Sequence, residues 1–347
     1  MKKLDKLLIV AGGTGGHIFP ALTVAETLKK QGVLIEWMGT EAGMEKKIVG
    51  DRFPLHFLSL KSFRGKNIFT KLIAPFRLGH AVLLAYRLIK KINPDCVLGM
   101  GGYASGPGGI AAWLLRKKLV IHEQNAKAGL TNRVLSHFAT TVLQAFPNAF
   151  QNKVNAITVG NPVRESILKI THDKQYFSLR QKPWRILILG GSQGARVINE
   201  LVTKWITAST DRDSFLIWHQ TGKNNVETAF VYRTEPFINN VEEAYAWADL
   251  IICRAGALTV SEVAAAGLPS ILIPYPFATD DHQYENALFL QHAHAGVVFR
   301  ESEINPEKLD HCLSGLFANV NRLSMMAENA KSCAIPNSVQ RIIELLK

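Results

Sequence analysis

The chain has 347 residues, of which 47% are apolar and 20% charged, which is typical of a folded globular protein and excludes a largely disordered one. Its length favours two domains, and no apolar run approaches the roughly 20 residues that cross a bilayer. The formal net charge of +12 favours a polyanionic partner, which can be nucleic acid, an anionic membrane or a phosphorylated substrate.

The first half of the chain alternates short apolar runs with segments of helical periodicity. Strands are predicted at residues 7–11, 34–38, 55–60, 96–98 and 119–122, and helices at 21–31, 76–91 and 108–118. Apolar runs without strict alternation are typical of strands covered on both faces, so the pattern predicts a parallel sheet in an α/β fold.

The second half repeats this plan, with strands predicted at 185–189, 215–218, 250–253, 271–273 and 297–299 and helices at 195–206, 258–266 and 283–294. The run LIVAGGTGG at 8–16 echoes ILILGGSQG at 186–194, which indicates two Rossmann-like units. We place the domains at 1–161 and 162–335. The sequence leaves open which domain the final helix, 338–346, packs on. One possibility is that residues of about 336–347 pack back on the first domain.

Residues 12–17 form a glycine-rich loop between the first strand and the helix that follows. Glycines allow close backbone approach, and a helix N-terminus offers amides to an anion or a developing negative charge. Ile18 stands where a dinucleotide fingerprint needs glycine or alanine, but Glu36 occupies the ribose-binding position, so an NAD-dependent oxidoreductase stays a rival. His17 can take a proton from a hydroxyl, or merely cap or pack; we favour a catalytic or orienting role.

The second domain carries three candidate loops. Residues 190–194 form a second glycine-rich loop between a strand and a helix, in which Ser192 is also suited to a helix N-cap. Residues 254–262 offer helix amides, the Thr259 hydroxyl, and Glu262, which is either a ribose ligand or a helix-favouring surface residue. Gln283 and Asn286 are three residues apart, so they share a helix face and can bind sugar hydroxyls.

No metal or cofactor is predicted. The Asp-Arg-Asp run at 211–213 precedes a strand, and the Asp-Asp-His run at 280–282 lacks further ligands. The four cysteines stand at no metal or redox spacing, which predicts free thiols in a reducing cytoplasm. Helix dipoles and basic side chains are therefore expected to stabilise a leaving diphosphate.

The stretch GGTGGHIFPA at 12–21 strongly resembles the first loop of the MurG family of N-acetylglucosaminyltransferases. Further segments match in order: GGYASGP at 101–107, HEQNA at 122–126, GNPVR at 160–164, the 190–194 loop, and the segments 248–269 and 282–286. One departure is Ala255, where some members carry serine. The resemblance spans essentially the whole chain, and the joint order of the motifs makes it specific.

The resemblance implies an α/β protein of the GT-B fold, two Rossmann-like parallel-sheet domains facing across a cleft, with the lipid acceptor on the first and the UDP-sugar on the second. It implies inverting, metal-independent transfer of N-acetylglucosamine from UDP-N-acetylglucosamine to the muramyl 4-hydroxyl of undecaprenyl-diphosphate-linked muramyl-pentapeptide, which converts lipid I to lipid II. This is the last cytoplasmic step of peptidoglycan precursor synthesis, which serves cell wall biogenesis, cell shape and cell division.

The site residues follow from the matched motifs. His17 is the predicted base or its relay, and Glu123 and Tyr103 are candidates on the acceptor side. The implied donor contacts are Thr14, Gly15, Gly16, Asn125, Arg164, Ser192, Ile238, Ala257, Leu258, Thr259, Val260, Ser261, Glu262, Gln283 and Asn286.

The stretch between Asp51 and Asp95 is basic and contains no acidic residue. Apolar side chains among cations are typical of a protein that sits on an anionic leaflet. We predict that this stretch binds the cytoplasmic side of the bacterial inner membrane as a peripheral patch. The patch consists of Ile68, Phe69, Lys71, Leu72, Ile73, Phe76 and Arg77. Trp113 and residues 116–118 extend it. The alternative is a helix with one core face, which we prefer for Leu83, Leu84 and Leu88.

Three rivals stay open. A nucleic-acid-binding module lacks interleaved aromatic residues and any known motif, so no nucleic acid partner is expected. The oxidoreductase is disfavoured by the second glycine loop. A related GT-B enzyme, such as a sugar epimerase or a glycolipid transferase with another acceptor, is the third. Partners among other cell-wall synthesis proteins are left open by the sequence.

Overall fold

The computed structural model describes residues 3–13, 15–41, 43–58, 68–151, 154–191, 194–223 and 232–347. The chain divides into two compact units, Met1–Pro162 with Asn337–Lys347 and Val163–Pro336. Several predicted site positions lie outside the description, namely Thr14, Ser192 and the side chains of Ile68, Phe69, Lys71, Leu72 and Ile73.

The strands and helices alternate along the chain, as expected for an α/β protein. The strands are β1 Lys6–Val10, β2 Leu34–Thr40, β3 Leu55–Leu58, β4 Cys96–Gly99, β5 Lys118–Glu123, β6 Thr141–Gln144, β7 Ala156–Thr158, β8 Trp184–Leu189, β9 Phe215–Gln220, β10 Tyr232–Glu235, β11 Leu250–Cys253, β12 Ser270–Leu272 and β13 Gly296–Val298. The helices are α1 Gly15–Lys30, α2 Glu45–Val49, α3 Ile68–Ile92, α4 Ser105–Leu114, α5 Leu130–Leu135, α6 Glu165–Leu168, α7 Lys174–Leu179, α8 Arg196–Ala208, α9 Val241–Trp247, α10 Ala257–Ala266, α11 His282–His292, α12 Pro306–Phe317, α13 Val320–Cys333 and α14 Ser338–Leu346.

Each unit has a parallel sheet whose strand order reverses next to its first strand. The first unit has the order β3-β2-β1-β4-β5-β6-β7, and the second has β10-β9-β8-β11-β12-β13. Connections from β1 and β4 leave the sheet in opposite directions, as do those from β8 and β11. Such a switch point opens a crevice at the carboxyl ends of the strands, where α/β sheets bind ligands. The loops after these four strands therefore define the candidate site of each unit.

The central strands of each sheet are buried on both faces, because helices cover the sheet. In the first unit Leu7 and Ile9 of β1 join one core layer and Leu8 and Val10 the other. The C-terminal helix α14 packs on the first of these layers through Ile342, Ile343 and Leu346, and the Ser338 hydroxyl donates to the Asn161 carbonyl at 2.8 Å. The helix that the sequence could not assign thus belongs to the first unit.

The predicted strands are confirmed to within two residues in the described ranges, but three helix predictions are wrong at their ends. Helix α1 begins at Gly15, six residues before the predicted start, because its glycines and Pro20 hide the helical pattern of the first turns. Helix α3 begins at Ile68 and continues through Pro75, and α4 ends at Leu114 so that Lys118 opens β5. The short strands β6, β7 and β10 were not predicted.

Candidate active site

The first glycine loop is hydrogen-bonded to a buried carboxylate, that of Glu45, which the sequence analysis did not single out. Glu45 Oε1 accepts hydrogen bonds from the Gly13 amide at 3.2 Å, the Thr40 amide at 2.9 Å and the Thr40 hydroxyl at 3.1 Å. A Cβ on Gly12 or Gly43 would clash with this carboxylate. Glycine at these positions therefore makes room for Glu45 as well as for a ligand, and Glu45 fixes the path of the loop.

The loop after β4 packs against the first glycine loop. Gly101 and Gly102 have φ of +96° and +84°, which favour glycine. A Cβ on Gly102 would overlap the Gly12 carbonyl, and one on Gly101 would lie 2.6 Å from His17 Nδ1. Tyr103 follows directly and is 44% exposed. The two loops at the switch point thus bring the predicted base His17 beside the segment that carries Tyr103.

His17 lies in the first turn of α1, not before it, and is partly buried. Its Nδ1 is 3.0 Å from the side-chain oxygen of Gln124, in the segment after β5. The Gln124 amide nitrogen is 3.1 Å from both Nδ1 and the carbonyl oxygen of His122. Burial lowers the pKa of His122 to about 4, so this histidine is neutral near pH 7.

Glu123 is buried, and four hydrogen bonds converge on its carboxylate. Oε1 accepts from the backbone and side-chain amides of Asn125 at 2.9 and 3.1 Å. Oε2 accepts from the Gly129 amide at 3.1 Å and the Asn132 side chain at 2.9 Å. These contacts make Glu123 a support for the turn that presents Asn125. Its predicted place on the acceptor side stays a prediction.

The second glycine loop follows β8 and is braced by Gln220, another residue that the sequence did not single out. The Gln220 side chain donates to the Gly191 carbonyl at 2.8 Å and accepts from the Ile238 amide at 2.9 Å. Gly191 and Gly194 have φ of +91° and +76°. Gln220 therefore ties the glycine loop to the segment of Ile238, a predicted donor contact whose side chain is buried.

Helix α10 begins after Gly256, which is extended, so its first-turn amides point out of the helix at the switch point. One turn further in, Glu262 is buried and accepts a hydrogen bond from the Tyr245 hydroxyl at 3.1 Å. Arg164 lies 3.6 Å from Glu262 and pairs with Glu242 at 3.0 Å. Burial raises the pKa of Glu262, and the nearby Arg164 opposes that shift.

The other predicted residues of α10 and α11 divide into partly exposed and buried ones. Leu258, Thr259 and Ser261 are partly exposed, whereas Ala257 and Val260 are buried and can offer a ligand little beyond their backbone. Gln283 is partly exposed, and its side-chain oxygen accepts from the Tyr275 amide at 2.9 Å.

Asn286 is fully buried and donates to the Ala255 carbonyl at 3.1 Å. Although Gln283 and Asn286 share a helix face, only Gln283 reaches solvent, so the contact of Asn286 supports the loop before α10. Arg254, on that same loop, is buried and donates to the carbonyls of Ile273 and Pro274. Among the described residues no group of three or more His, Cys, Asp or Glu could hold a metal ion.

The first unit exposes a set of large apolar side chains on α3, α4 and α5. Phe76 of the predicted membrane patch is 80% exposed, and its neighbour Arg77 is exposed as well. Further exposed members are Trp113, Leu114, Leu130 and Val134. Over the described helices, none is long and apolar enough to cross a membrane.

The core face of α3 differs from the prediction. Leu83 is exposed, so its placement in the core is wrong, while Leu84 and Leu88 are partly buried against the core. Among the side chains of α3 that the structure describes, Ala81, Ala85 and Ile89 are fully buried. Their spacing of four residues sets the inward stripe of the helix, which points Leu83 away from the sheet.

Two doubly wound parallel sheets in one chain, each with a glycine loop at its switch point, are the arrangement of the GT-B fold, which glycosyltransferases share with sugar epimerases. The chain matches the model of the Glycosyltransferase family 28 N-terminal domain over residues 7–144 and that of the C-terminal domain over residues 185–345. These matches cover most of both units.

Full-length relatives identify the family to which the chain belongs. A Coxiella burnetii UDP-N-acetylglucosamine--N-acetylmuramyl-(pentapeptide) pyrophosphoryl-undecaprenol N-acetylglucosamine transferase is 46% identical over 99% of this chain and 98% of its own, and one from Cellvibrio japonicus is 47% identical over 99% and 97%. The crystal structure of Acinetobacter baumannii MurG superposes with a TM-score of 0.85 at 38% identity, covering 99% of both chains. The chain therefore belongs to the MurG family.

Proposed function

We propose that this chain transfers N-acetylglucosamine from UDP-N-acetylglucosamine to lipid I, the N-acetylmuramyl-(pentapeptide) pyrophosphoryl-undecaprenol, and so forms lipid II. The observation that carries this conclusion is the identity of 46% over 99% of the chain with a relative named for that reaction. The reaction belongs to peptidoglycan precursor synthesis.

The second unit binds the UDP-sugar. The first-turn amides of α10 and the 190–194 loop are suited to the diphosphate, because a helix N-terminus favours negative charge. Glu262 accepts from the ribose hydroxyls, in a position preset by Tyr245 at 3.1 Å. Gln283, partly exposed beside this loop, contacts the sugar. The remaining donor contacts carried by motif are Thr14, Gly15, Gly16, Asn125, Arg164, Ser192 and Ile238. Asn286, which is fully buried, acts only through the loop before α10.

The first unit binds the acceptor and supplies the base. The acceptor hydroxyl loses its proton to His17 as its oxygen attacks the anomeric carbon. The bond from that carbon to the diphosphate breaks on the opposite face, so the configuration inverts and the electron pair leaves with UDP. The helix amides stabilise the charge on UDP, so no bound metal is needed. Tyr103, exposed beside the first loop, contacts the acceptor.

The exposed apolar set of α3 to α5 supports binding of the first unit to the membrane that holds the acceptor. Phe76 is 80% exposed beside Arg77, and an apolar group ringed by cations binds an anionic leaflet. The enzyme is then a peripheral protein on the cytoplasmic side of the bacterial cell membrane.

The test is acceptor-dependent release of UDP by the purified chain. We expect release from UDP-N-acetylglucosamine when lipid I is present, with chelator added, and only background release without lipid I. Substituting His17→Ala should lower turnover by about 10²–10⁴-fold, the range for losing acid–base assistance. UDP release that did not depend on lipid I would favour an epimerase or hydrolase and would contradict the proposal.

A further inference from the structure

The orientation of the Gln124 side chain is set by a backbone carbonyl. Its amide nitrogen lies 3.1 Å from the carbonyl oxygen of His122, which can only accept a hydrogen bond. The reverse orientation would place two oxygens against each other at that distance. The side-chain oxygen of Gln124 therefore faces His17 Nδ1, at 3.0 Å.

The ring of His122 is fixed in the same way from its other side. His122 Nε2 is 2.9 Å from the carbonyl oxygen of Gly160, so Nε2 carries a hydrogen and donates it. Burial keeps this histidine neutral near pH 7 by lowering its pKa to about 4. Nδ1 of His122 is then a lone pair, and it accepts the second hydrogen of the Gln124 amide at 3.1 Å.

The chain of contacts leaves one tautomer for the neutral ring of His17. An amide oxygen only accepts, so His17 Nδ1 must carry the hydrogen of the bond to Gln124. We propose that Gln124 is a positioning residue that holds the His17 ring as its Nδ1–H tautomer, so that Nε2 carries the lone pair that takes the acceptor proton. This inference rests on the proposed function, in which His17 is the base.

The step balances without any further reactant. The O–H bond of the acceptor breaks and an N–H bond forms at His17 Nε2, while the C–O bond to the sugar forms and UDP leaves with its electron pair. The charge that develops on His17 strengthens its bond to the Gln124 oxygen. Both ends of the network are anchored on backbone carbonyls, those of His122 and Gly160, so the tautomer is preset before substrate binds.

The direct readout is the tautomer of His17 in the intact protein. With ¹⁵N-labelled histidine, ring-nitrogen chemical shifts separate the protonated from the unprotonated nitrogen, and the His17→Ala spectrum identifies the signal among the 11 histidines. We expect protonated Nδ1 and unprotonated Nε2 at neutral pH in the wild type. A wild-type His17 protonated at Nε2 alone would overturn the proposal, whatever its activity.

The variant is Gln124→Met, which keeps the length of the side chain and removes both hydrogen-bonding groups. We expect His17 to lose its Nδ1–H preference and kcat to fall on the order of 10- to 100-fold, below the loss of about 10²–10⁴-fold for an absent base. The KM for UDP-N-acetylglucosamine should change less than threefold. Gln144→Met, which also removes a buried glutamine at the end of a strand but one bonded to Thr158, is the matched control and should leave kcat and the tautomer unchanged.

The double variant separates a role through His17 from a general loss of structure. Adding Gln124→Met to His17→Ala should slow turnover no further, because Gln124 acts only through that ring. Multiplicative losses in the double variant would overturn the proposal. If the wild type transferred no sugar to lipid I, the proposed function would fail, while the tautomer measurement would still decide how Gln124 and His17 are joined.

Discussion

Glu123 offers a sharp test of how this site is built, because its carboxylate can act in catalysis or support a turn. The substitution Glu123→Gln keeps the shape and replaces one oxygen by an NH₂ group. That group then faces either the two amides of Asn125 or those of Gly129 and Asn132, all of which are donors. In either orientation two of the four hydrogen bonds are lost.

The expected loss of stability follows from these contacts. A hydrogen bond to a charged group contributes about 1.5–3 kcal/mol, so two lost bonds lower the free energy of unfolding of the first unit by about 3–6 kcal/mol. At roughly 2–4 °C per kcal/mol for a unit of this size, Tm falls by about 6–24 °C. Glu26→Gln, an exposed carboxylate paired with Arg52, is the control and should change the free energy by less than about 1 kcal/mol.

Calorimetric unfolding and steady-state turnover should be measured on the same samples. We expect Glu123→Gln to lose stability, and Asn132→Leu to lose stability in a way that is not additive with it, with a coupling of about 1.5–3 kcal/mol. A Glu123→Gln variant that kept its Tm within 2–3 °C but lost turnover would refute the supporting role and favour direct participation in catalysis.

Three further predictions concern the donor site, the membrane surface and acid stability. Glu262→Gln should raise the KM for UDP-N-acetylglucosamine about 10- to 100-fold, because it weakens a charge-assisted bond to the ribose. The control is Glu242→Gln, at the neighbouring carboxylate that pairs with Arg164, and it should change the KM little. Equal KM values in the two variants would remove Glu262 from the ribose site. Phe76→Ser should weaken co-sedimentation with anionic vesicles up to about 10-fold, and unchanged binding, or binding that ignores anionic lipid, would contradict the membrane surface. Burial lowers the pKa of His122 and His219 to about 4, so the unfolded state takes up protons first as the pH falls. The free energy of unfolding should therefore fall between about pH 6.5 and pH 4, by up to about 3 kcal/mol for each histidine. A free energy of unfolding that stayed constant over that pH range would contradict their burial as neutral rings.

The backbone plan of both units could be predicted because each strand is a short apolar run that ends in glycines. The two apolar runs before residues 12 and 190 predicted β1 and β8, and each opens a parallel sheet with a switch point. The start of α1 could not be predicted, because Gly15, Gly16 and Pro20 are poor helix formers that the tertiary structure overrides. The edge strands β7 and β10 leave little pattern, because β7 is only three residues long and three of the four residues of β10 are polar or charged.

The side chains that support the loops were beyond sequence reasoning for a different reason. Glu45, Gln124 and Gln220 act by accepting or donating hydrogen bonds inside the protein, and a polar residue shows its burial only when the fold is known. Glu45 did leave a trace in two glycines before it, Gly39 in β2 and Gly43, because a Cβ on either would clash with its side chain. Asn286 shows the same limit, since its helical spacing from Gln283 was informative but its burial was not.

The most direct test of the account is the identity of the lipid product after one turnover. The purified chain, mixed with UDP-N-acetylglucosamine and lipid I in anionic vesicles, should convert the lipid to a species heavier by a single N-acetylhexosamine, as read by mass spectrometry. NMR of the new linkage should show the anomeric configuration opposite to that of the donor. A lipid of unchanged mass from a folded sample, or a product that retained the donor configuration, would contradict the account.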